Sequence, residues 1–411
     1  MKMKKTEMEK KKQVELQDVC TNIVDCPHST APDEGEGIAL VRTPNIGKGV
    51  FNLEGVHRIS KEVFEKRCSR IRPRENDLIF AREAPAGNVA LITSSTEQLC
   101  LGQRTVLLRP NLEYVSPRFL VYFLLHPVQQ YNLLKKSAGS TVAHINIPDI
   151  KRLKLQLPPL PTQQKIASIL SAYDELIQNY KKQIDALQTA ASELYKEWFV
   201  RFRFPGYKTT KFENGIPEGW RIETANKLFN ITIGKTPPRA EQEWFSTSEN
   251  DVKWVSISDM NQGLFIENTN EKLTKAAVDK FHVITVPKDT VLLSFKLTIG
   301  KVSITKFEIT TNEAIAHFHL PDLNWREYIY NYLAEFPYQK LGNTSAIGTA
   351  INSQIVKKMN IVVPDDIILK KYHKKAGDIF NKISLLGNQI TNLTQQRDLL
   401  LPRLMSGKLE V

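Results

Sequence analysis

Very few residue groupings in this 411-residue chain have the types and spacing that chemistry needs. Cys20, Cys26 and His28 lie close together, but the four cysteines (also Cys68 and Cys100) form no CxxC pair and match no zinc spacing. No metal site is expected. Gly234-Lys235-Thr236 has the ending of a phosphate loop, yet Phe229 stands where the upstream glycine must be. Pro148-Asp149 and Pro364-Asp365 have the opening of a nuclease signature without a convincing acidic-x-Lys partner downstream. There is no Gly-x-Gly-x-x-Gly, no nucleophile elbow and no Asn/Asp-Pro-Pro-Tyr tetrapeptide, and the eight histidines show no grouping. No catalytic residue is assigned.

What remains is the chemistry of recognition. A formal charge of +12 favours a polyanionic partner. Between short apolar runs such as Ile38-Ala39-Leu40-Val41 and Thr105-Val106-Leu107-Leu108 lie loops carrying Arg42, Asn45, Lys48, Arg82, Asn88, Gln103 and Arg104. Arginine forks onto guanine, amides onto adenine, and lysine meets phosphate. The small polar loop 137–146 adds Ser140, Thr141 and His144, whose hydroxyls and backbone amides suit phosphates. Its counterpart at 343–352 adds Thr349 and Asn352. Lys235, Arg239, Ser256, Ser258 and Lys296 are the further candidates of the second half. For each the bland alternative is an ordinary exposed residue, and for the two small loops a turn that seats the next strand.

These loops need a frame, and the stretch 157–204 supplies it. After Pro159 and Pro161 no Pro or Gly follows until Pro205-Gly206. Tyr173, Ile177, Tyr180, Ile184, Leu187, Ala191, Leu194 and Trp198 recur in steps of four and three, the rhythm of a coiled-coil seam. The spacing predicts a helix over 162–199, roughly 55 Å long at about 1.5 Å per residue, whose single apolar stripe needs a partner. Ile379, Ile383, Leu386, Ile390, Leu393, Leu400 and Leu404 provide one, each displaced by 206 from its counterpart, with Arg397 alone breaking the stripe. The same displacement carries Ile145-Asn146 onto Ile351-Asn352, and a displacement of 213 carries Gly87 onto Gly300.

Collinear matches of this kind predict duplicated halves. The expected fold is α+β: two globular mixed α/β domains separated by two long helices that form an intramolecular antiparallel coiled coil, with pseudo-two-fold character. The expected ranges are 1–158 (with a solvated lysine-rich tail at 1–12), a central helix at 159–204, a second domain at 205–364 and a closing helix at 365–411, its helical part ending near Pro402. Helices are also expected over 117–134 and 325–336. No apolar run approaches the roughly 20 residues of a membrane span. The charged N-terminus lacks the apolar core of a signal peptide, so a cytoplasmic location is expected.

Several stretches together resemble the specificity (S) subunit of type I restriction–modification enzymes: LPPLPTQQKIASIL (157–170), ELYKEWFVRF (193–202), GIPEGW (215–220), VKWVSISDM (252–260), TIGKVSI (298–304), GTAINSQIVKKMNIVVP (348–364) and LLLPRLMSGKLEV (399–411). DCPHST (25–30) is similar to the family's opening near the first domain. The resemblance covers nearly the whole chain. It implies two target-recognition domains, each reading one half of an asymmetric bipartite site in double-stranded DNA, and paired helices acting as spacer and docking platform. It also implies two methyltransferase subunits that methylate adenine N6 with S-adenosylmethionine, and motor–nuclease subunits that use ATP and Mg. This chain would hold none of those cofactors and no active site. It departs from the family in lacking a Pro-x-Gly-Trp opening before the first domain. It also carries PDDIILKK at 364–371 without the Gln-Gln of 163–164. The competing readings are a non-DNA-binding scaffold for two copies of a partner protein, and an enzyme with dispersed catalytic residues.

Overall fold

The computed structural model describes residues 12–135, 144–338, 344, 345, 348, 349 and 351–411. The chain forms two compact units, Met1–Ile177 with Asn392–Val411, and Gln178–Thr391.

In the first unit a five-stranded sheet runs in the order Cys20–Asp25, Thr105–Pro110, Leu78–Ala81, Val89–Leu91, Lys48–Gly49. Its neighbours are antiparallel except the last pair, which is parallel. The core strands are buried on both faces, which is why they read as continuous apolar runs rather than alternating ones. Alternation is still present in space. Leu78, Phe80, Val89, Val106 and Leu108 face a core shared with Phe119, Leu120 and Leu124 of the helix Pro117–Leu125. Ile79, Ala81, Ala90 and Leu107 face the opposite way, onto Ala39, Val41, Leu99 and Leu101 of a three-stranded sheet. That smaller sheet joins Ile38–Val41 to Arg58–Ile59 antiparallel and to Leu99–Leu101 parallel.

The second unit repeats this plan. Its five strands run Asn230–Ile233, Ile315–His319, Val291–Ser294, Val302–Thr305, Phe265–Ile266, again antiparallel except for the last pair. Val252–Val255 pairs antiparallel with Glu271–Leu273 and parallel with Thr310–Thr311, and Phe245–Ser246 adds an extra edge strand. Val291, Leu293 and Phe318 face the helical core, whereas Leu292 and Ile315 face the smaller sheet. In each unit the opening and closing strands pair antiparallel: Lys12–Glu15 with Lys154–Leu157, and Arg221–Thr224 with Asn360–Val363.

The central helix is Leu160–Tyr195, extended by a π-helical turn at Lys196–Val200. The closing helix is Asp366–Ser406. Each unit contains part of both. In the first unit Ile166, Ala167 and Leu170 share a core with Leu404, flanked by Leu400. Asp174 meets Arg397 there, so the two helices run antiparallel. In the second unit Ile184, Leu187, Leu194 and Trp198 share a core with Ile379 and Ile383. Every expected seam position is buried or half-buried, including Tyr173, Ile177, Tyr180, Leu386, Ile390 and Leu393. No helix among the described residues is long and apolar enough to cross a membrane.

Three local expectations differ. The closing helix does not end near Pro402 but runs through it to Ser406, because Leu404 is locked into the first unit's core at 1% exposure. The helix expected over 117–134 is two helices, Pro117–Leu125 and Pro127–Lys135. Pro127 drives His126 out of the helical region to ψ 135°, as a residue before proline prefers. The π turn adds a residue to one turn of the central helix, so the adjacent Trp198 and Phe199 both point inward. Phe199 then packs edge-on against Tyr328 and Tyr372, with ring centres 4.7 and 4.8 Å apart. Trp220 of the expected GIPEGW segment stacks on Phe204 at 5.1 Å.

Candidate nucleic-acid interface

The first unit gathers Arg82, Arg104 and His144 into one charged network beside the strand ends. Arg82 follows the strand Leu78–Ala81 and turns its guanidinium inward. Nη1 donates to both Asp25 oxygens at 3.0 Å, Nε donates to the Ile145 carbonyl at 3.1 Å, and Nη2 lies 2.8 Å from His144 Nε2. His144 Nδ1 lies 3.1 Å from Glu83 Oε1, and Arg104 Nε pairs with Glu83 Oε2 at 2.8 Å. His28 sits 3.1 Å from the same Asp25, and Gln103 donates to the His28 carbonyl.

Burial divides the labour within this network. At 8% exposure and with its donors engaged, Arg82 is a strut that fixes the strand end. Arg104 is held at φ 66°, and its side chain is 63% exposed. It is the arginine of the cluster that faces solvent, where a fork can meet a base or a phosphate. Asn45 caps a turn, accepting from the Arg42 N–H at 3.0 Å and donating to the Asn52 carbonyl at 3.2 Å. Arg42 Nε is buried without a hydrogen-bond partner among the described residues, and Lys48 is exposed. Asn88 donates to the Ile46 carbonyl at 2.9 Å. Ser140 and Thr141 lie outside the described residues.

The second unit brings Arg239 and Lys296 close enough to act on Glu313, with Lys235 one residue before the Thr236 that hydrogen-bonds to it. Arg239 forks onto Glu271 at 2.9 and 3.0 Å and lies over the rings of Phe245 and Trp254, 4.2 and 4.6 Å from their centres. Such stacking holds a guanidinium plane rigidly. Lys235 is exposed and anchored through its backbone, donating to the Thr311 carbonyl at 2.9 Å. Burial pushes the Glu313 carboxyl up, but the Thr236 hydrogen bond and the charges of Lys296 and Arg239 reverse this and hold it below the usual range. Ser256 and Ser258 serve a turn: Ser256 donates to Asp259 at 2.7 Å, and the two hydroxyls lie 2.7 Å apart. Asn352 caps the helix Ser353–Lys357, accepting from Gln354 and Ile355 at 3.0 Å. Thr349 belongs to the two-residue strand Gly348–Thr349.

Two buried clusters escaped the reading of the residues. His317 has no exposed surface and lies between Thr232 Oγ1 (2.8 Å) and Thr311 Oγ1 (2.7 Å), while Thr232 also touches His319 at 2.8 Å. The His-Phe-His spacing on one strand was the available signal, since alternate residues share a face. Glu327, fully buried, binds Arg326 Nε at 2.8 Å and His373 Nδ1 at 2.5 Å, tying the helix Arg326–Glu335 to the closing helix. No group of three or more His, Cys, Asp or Glu among the described residues is arranged to hold a metal ion.

Comparison with known proteins agrees with this architecture. The family described as type I restriction modification DNA specificity domain matches twice, over residues 8–189 and 217–398. The HindI specificity subunit of Haemophilus influenzae is 24% identical over 404 residues, spanning 82% of this chain and 87% of that protein. The MjaIX specificity subunit of Methanocaldococcus jannaschii is 27% identical over 376 residues, spanning 88% and 84%. The crystal structure of a type I S subunit from M. genitalium shares the fold, with a TM-score of 0.56 at 16% identity over 98% of both chains. Two tandem matches, each ending within one of the long helices, account for the duplicated topology. The chain belongs to the family of type I restriction–modification DNA specificity subunits.

Proposed function

We propose that each unit reads one half of a split DNA target, and that the paired helices set the distance between the two halves. The carrying observation is that one strand order occurs twice with different side chains at its edges. Arg104, with His144 and Glu83 behind it, is the reading group of the first unit. Arg239 is the corresponding reading group of the second, with Lys235 and Lys296 beside it for phosphates. Two unlike readers on one face of a duplex would sit about one helical turn apart, roughly 34 Å. The central helix, 36 residues or about 54 Å, is long enough to bridge that span.

In this reading the chain carries no reaction itself. Two methyltransferase subunits dock on the helices and bind S-adenosylmethionine to methylate adenine N6. Motor–nuclease subunits bind ATP and Mg. The assembly works on double-stranded DNA in the cytoplasm. Methylome sequencing of cells carrying this chain with its methyltransferase should reveal an asymmetric motif split by unread base pairs. A contiguous or palindromic motif would overturn the proposal. Removing matched heptads from both helices should shorten the spacer and leave each half-motif unchanged.

A further inference from the structure

The tip joining Val291–Ser294 to Val302–Thr305 presents Leu297 at 95% exposure, whereas no other large hydrophobic among the described residues exceeds 69%. Leu297 also holds φ 60°, a left-handed conformation that a branched side chain adopts only when its surroundings impose it. The surroundings do impose it. Phe295, 1% exposed, anchors one side of the tip and donates its N–H to the Ala314 carbonyl at 2.9 Å. Ser294 Oγ donates to the Thr298 carbonyl at 2.6 Å and accepts from the Lys301 N–H at 3.0 Å. Gly300, at φ 88°, packs so closely on Tyr338 that a Cβ there would lie 3.0 Å from the ring. The tip is thus a stiff support that spends backbone strain to hold a leucine in water.

Its neighbours are cationic. Lys296 precedes it, and Lys296 and Arg239 both act on Glu313. The equivalent tip of the first unit, displaced by 213, carries Ala84 in place of Leu297 and Glu83 in place of Lys296. The two units therefore differ at these two adjacent positions, in bulk at one and in charge at the other.

We propose that Leu297 is a specificity-determining residue that makes an apolar contact with a base inside the half-site read by the second unit. Lys296 beside it meets the adjacent phosphate. Leucine has no hydrogen-bonding group for the backbone of a nucleic acid, but it complements the thymine methyl or an unstacked base step. Stiffness of the support lowers the ordering cost of inserting it. This inference rests on the DNA-recognition role of the chain.

The test uses the full chain in complex with its methyltransferase, and duplexes bearing every single base-pair change of the target. Leu297→Ala should weaken binding to the intact target by roughly tenfold, the scale of one lost base contact. It should also relax discrimination at one or two adjacent base pairs of one half-site, leaving the other half-site and the binding of unrelated duplexes unchanged. Leu297→Gly should lose the same discrimination without a fall in Tm, because glycine accepts this φ freely. Unchanged discrimination in both variants overturns the inference, and so does uniform weakening at all positions. Loss of methyltransferase association with DNA discrimination intact also overturns it, by making the tip a protein contact. A wild-type complex that prefers no sequence would instead sink the recognition role itself.

Discussion

Arg397 Nη1 lies 2.6 Å from Asp174 Oδ1 and joins the two long helices of the first unit across their seam. The one charged residue in an otherwise apolar stripe is therefore paired rather than misplaced. Asp174 also accepts the hydroxyl of Tyr122 from the helix Pro117–Leu125, so a single carboxylate ties three helices. Burial raises the Tyr122 hydroxyl well above the ordinary tyrosine range, and the Asp174 charge adds to that, keeping the phenol a donor. A double-mutant cycle of Arg397→Ala and Asp174→Ala, read by chemical denaturation, should give a coupling energy of about 1 kcal/mol. A coupling of zero would make the pair incidental.

Arg82 and Arg104 should separate stability from recognition. Arg82→Ala leaves Asp25 without its fork and should cost about 3 kcal/mol of folding stability. Arg104→Ala removes a solvent-facing group and should shift stability by less than about 0.5 kcal/mol. It should nevertheless weaken specific DNA binding. Denaturation curves and duplex titrations on the two variants measure both quantities.

Acid should destabilise the second unit through His317. Burial, with a smaller contribution from His319 beside it, pushes this imidazole down to about 3. In the unfolded chain the ring protonates near 6.5. Between these values the unfolded state holds a proton that the folded state refuses. The stabilising contribution is complete above pH 6.5 and falls by about 1.4 kcal/mol per pH unit as the pH drops toward 3. His317→Gln should flatten that part of the stability–pH curve, measured by denaturant titration between pH 7 and 4.

The exposed lysines report on phosphate contact. If Lys48, Lys235 and Lys296 each neutralise one phosphate, replacing any one by Ala should reduce the slope of log K against log salt by about 0.9. Sequence preference should stay the same for Lys48 and Lys235. Titrations at several salt concentrations decide this.

Much of the frame is legible in the residues alone. The seam from Tyr173 to Trp198 and its copy at the chain's end follow a simple rhythm, because one apolar stripe repeats every 3.5 residues. That rhythm hid the contributions of Tyr195, Phe199 and Phe380, which lie off the stripe, and of Tyr372, one heptad before Ile379; the π turn and the domain core bury them. The double use of each strand was invisible, since strands covered on both faces show no alternation. Arg82 looks like any loop arginine until Asp25, 57 residues away in the chain, is folded against it. Leu297, within SFKLTIG, reads as one more core residue, and only the tip's geometry turns it outward.

The pairing of Lys12–Glu15 with Lys154–Leu157, and of Arg221–Thr224 with Asn360–Val363, has an evolutionary consequence. Each globular part opens and closes through two strands lying side by side, and the closing strand runs directly into a long helix. A foreign insert with the same paired ends, and with an apolar face that matches the helix residues it covers, can replace it. New target preferences can then arise by exchange of whole cassettes, one half at a time, as well as by substitution of single contacts.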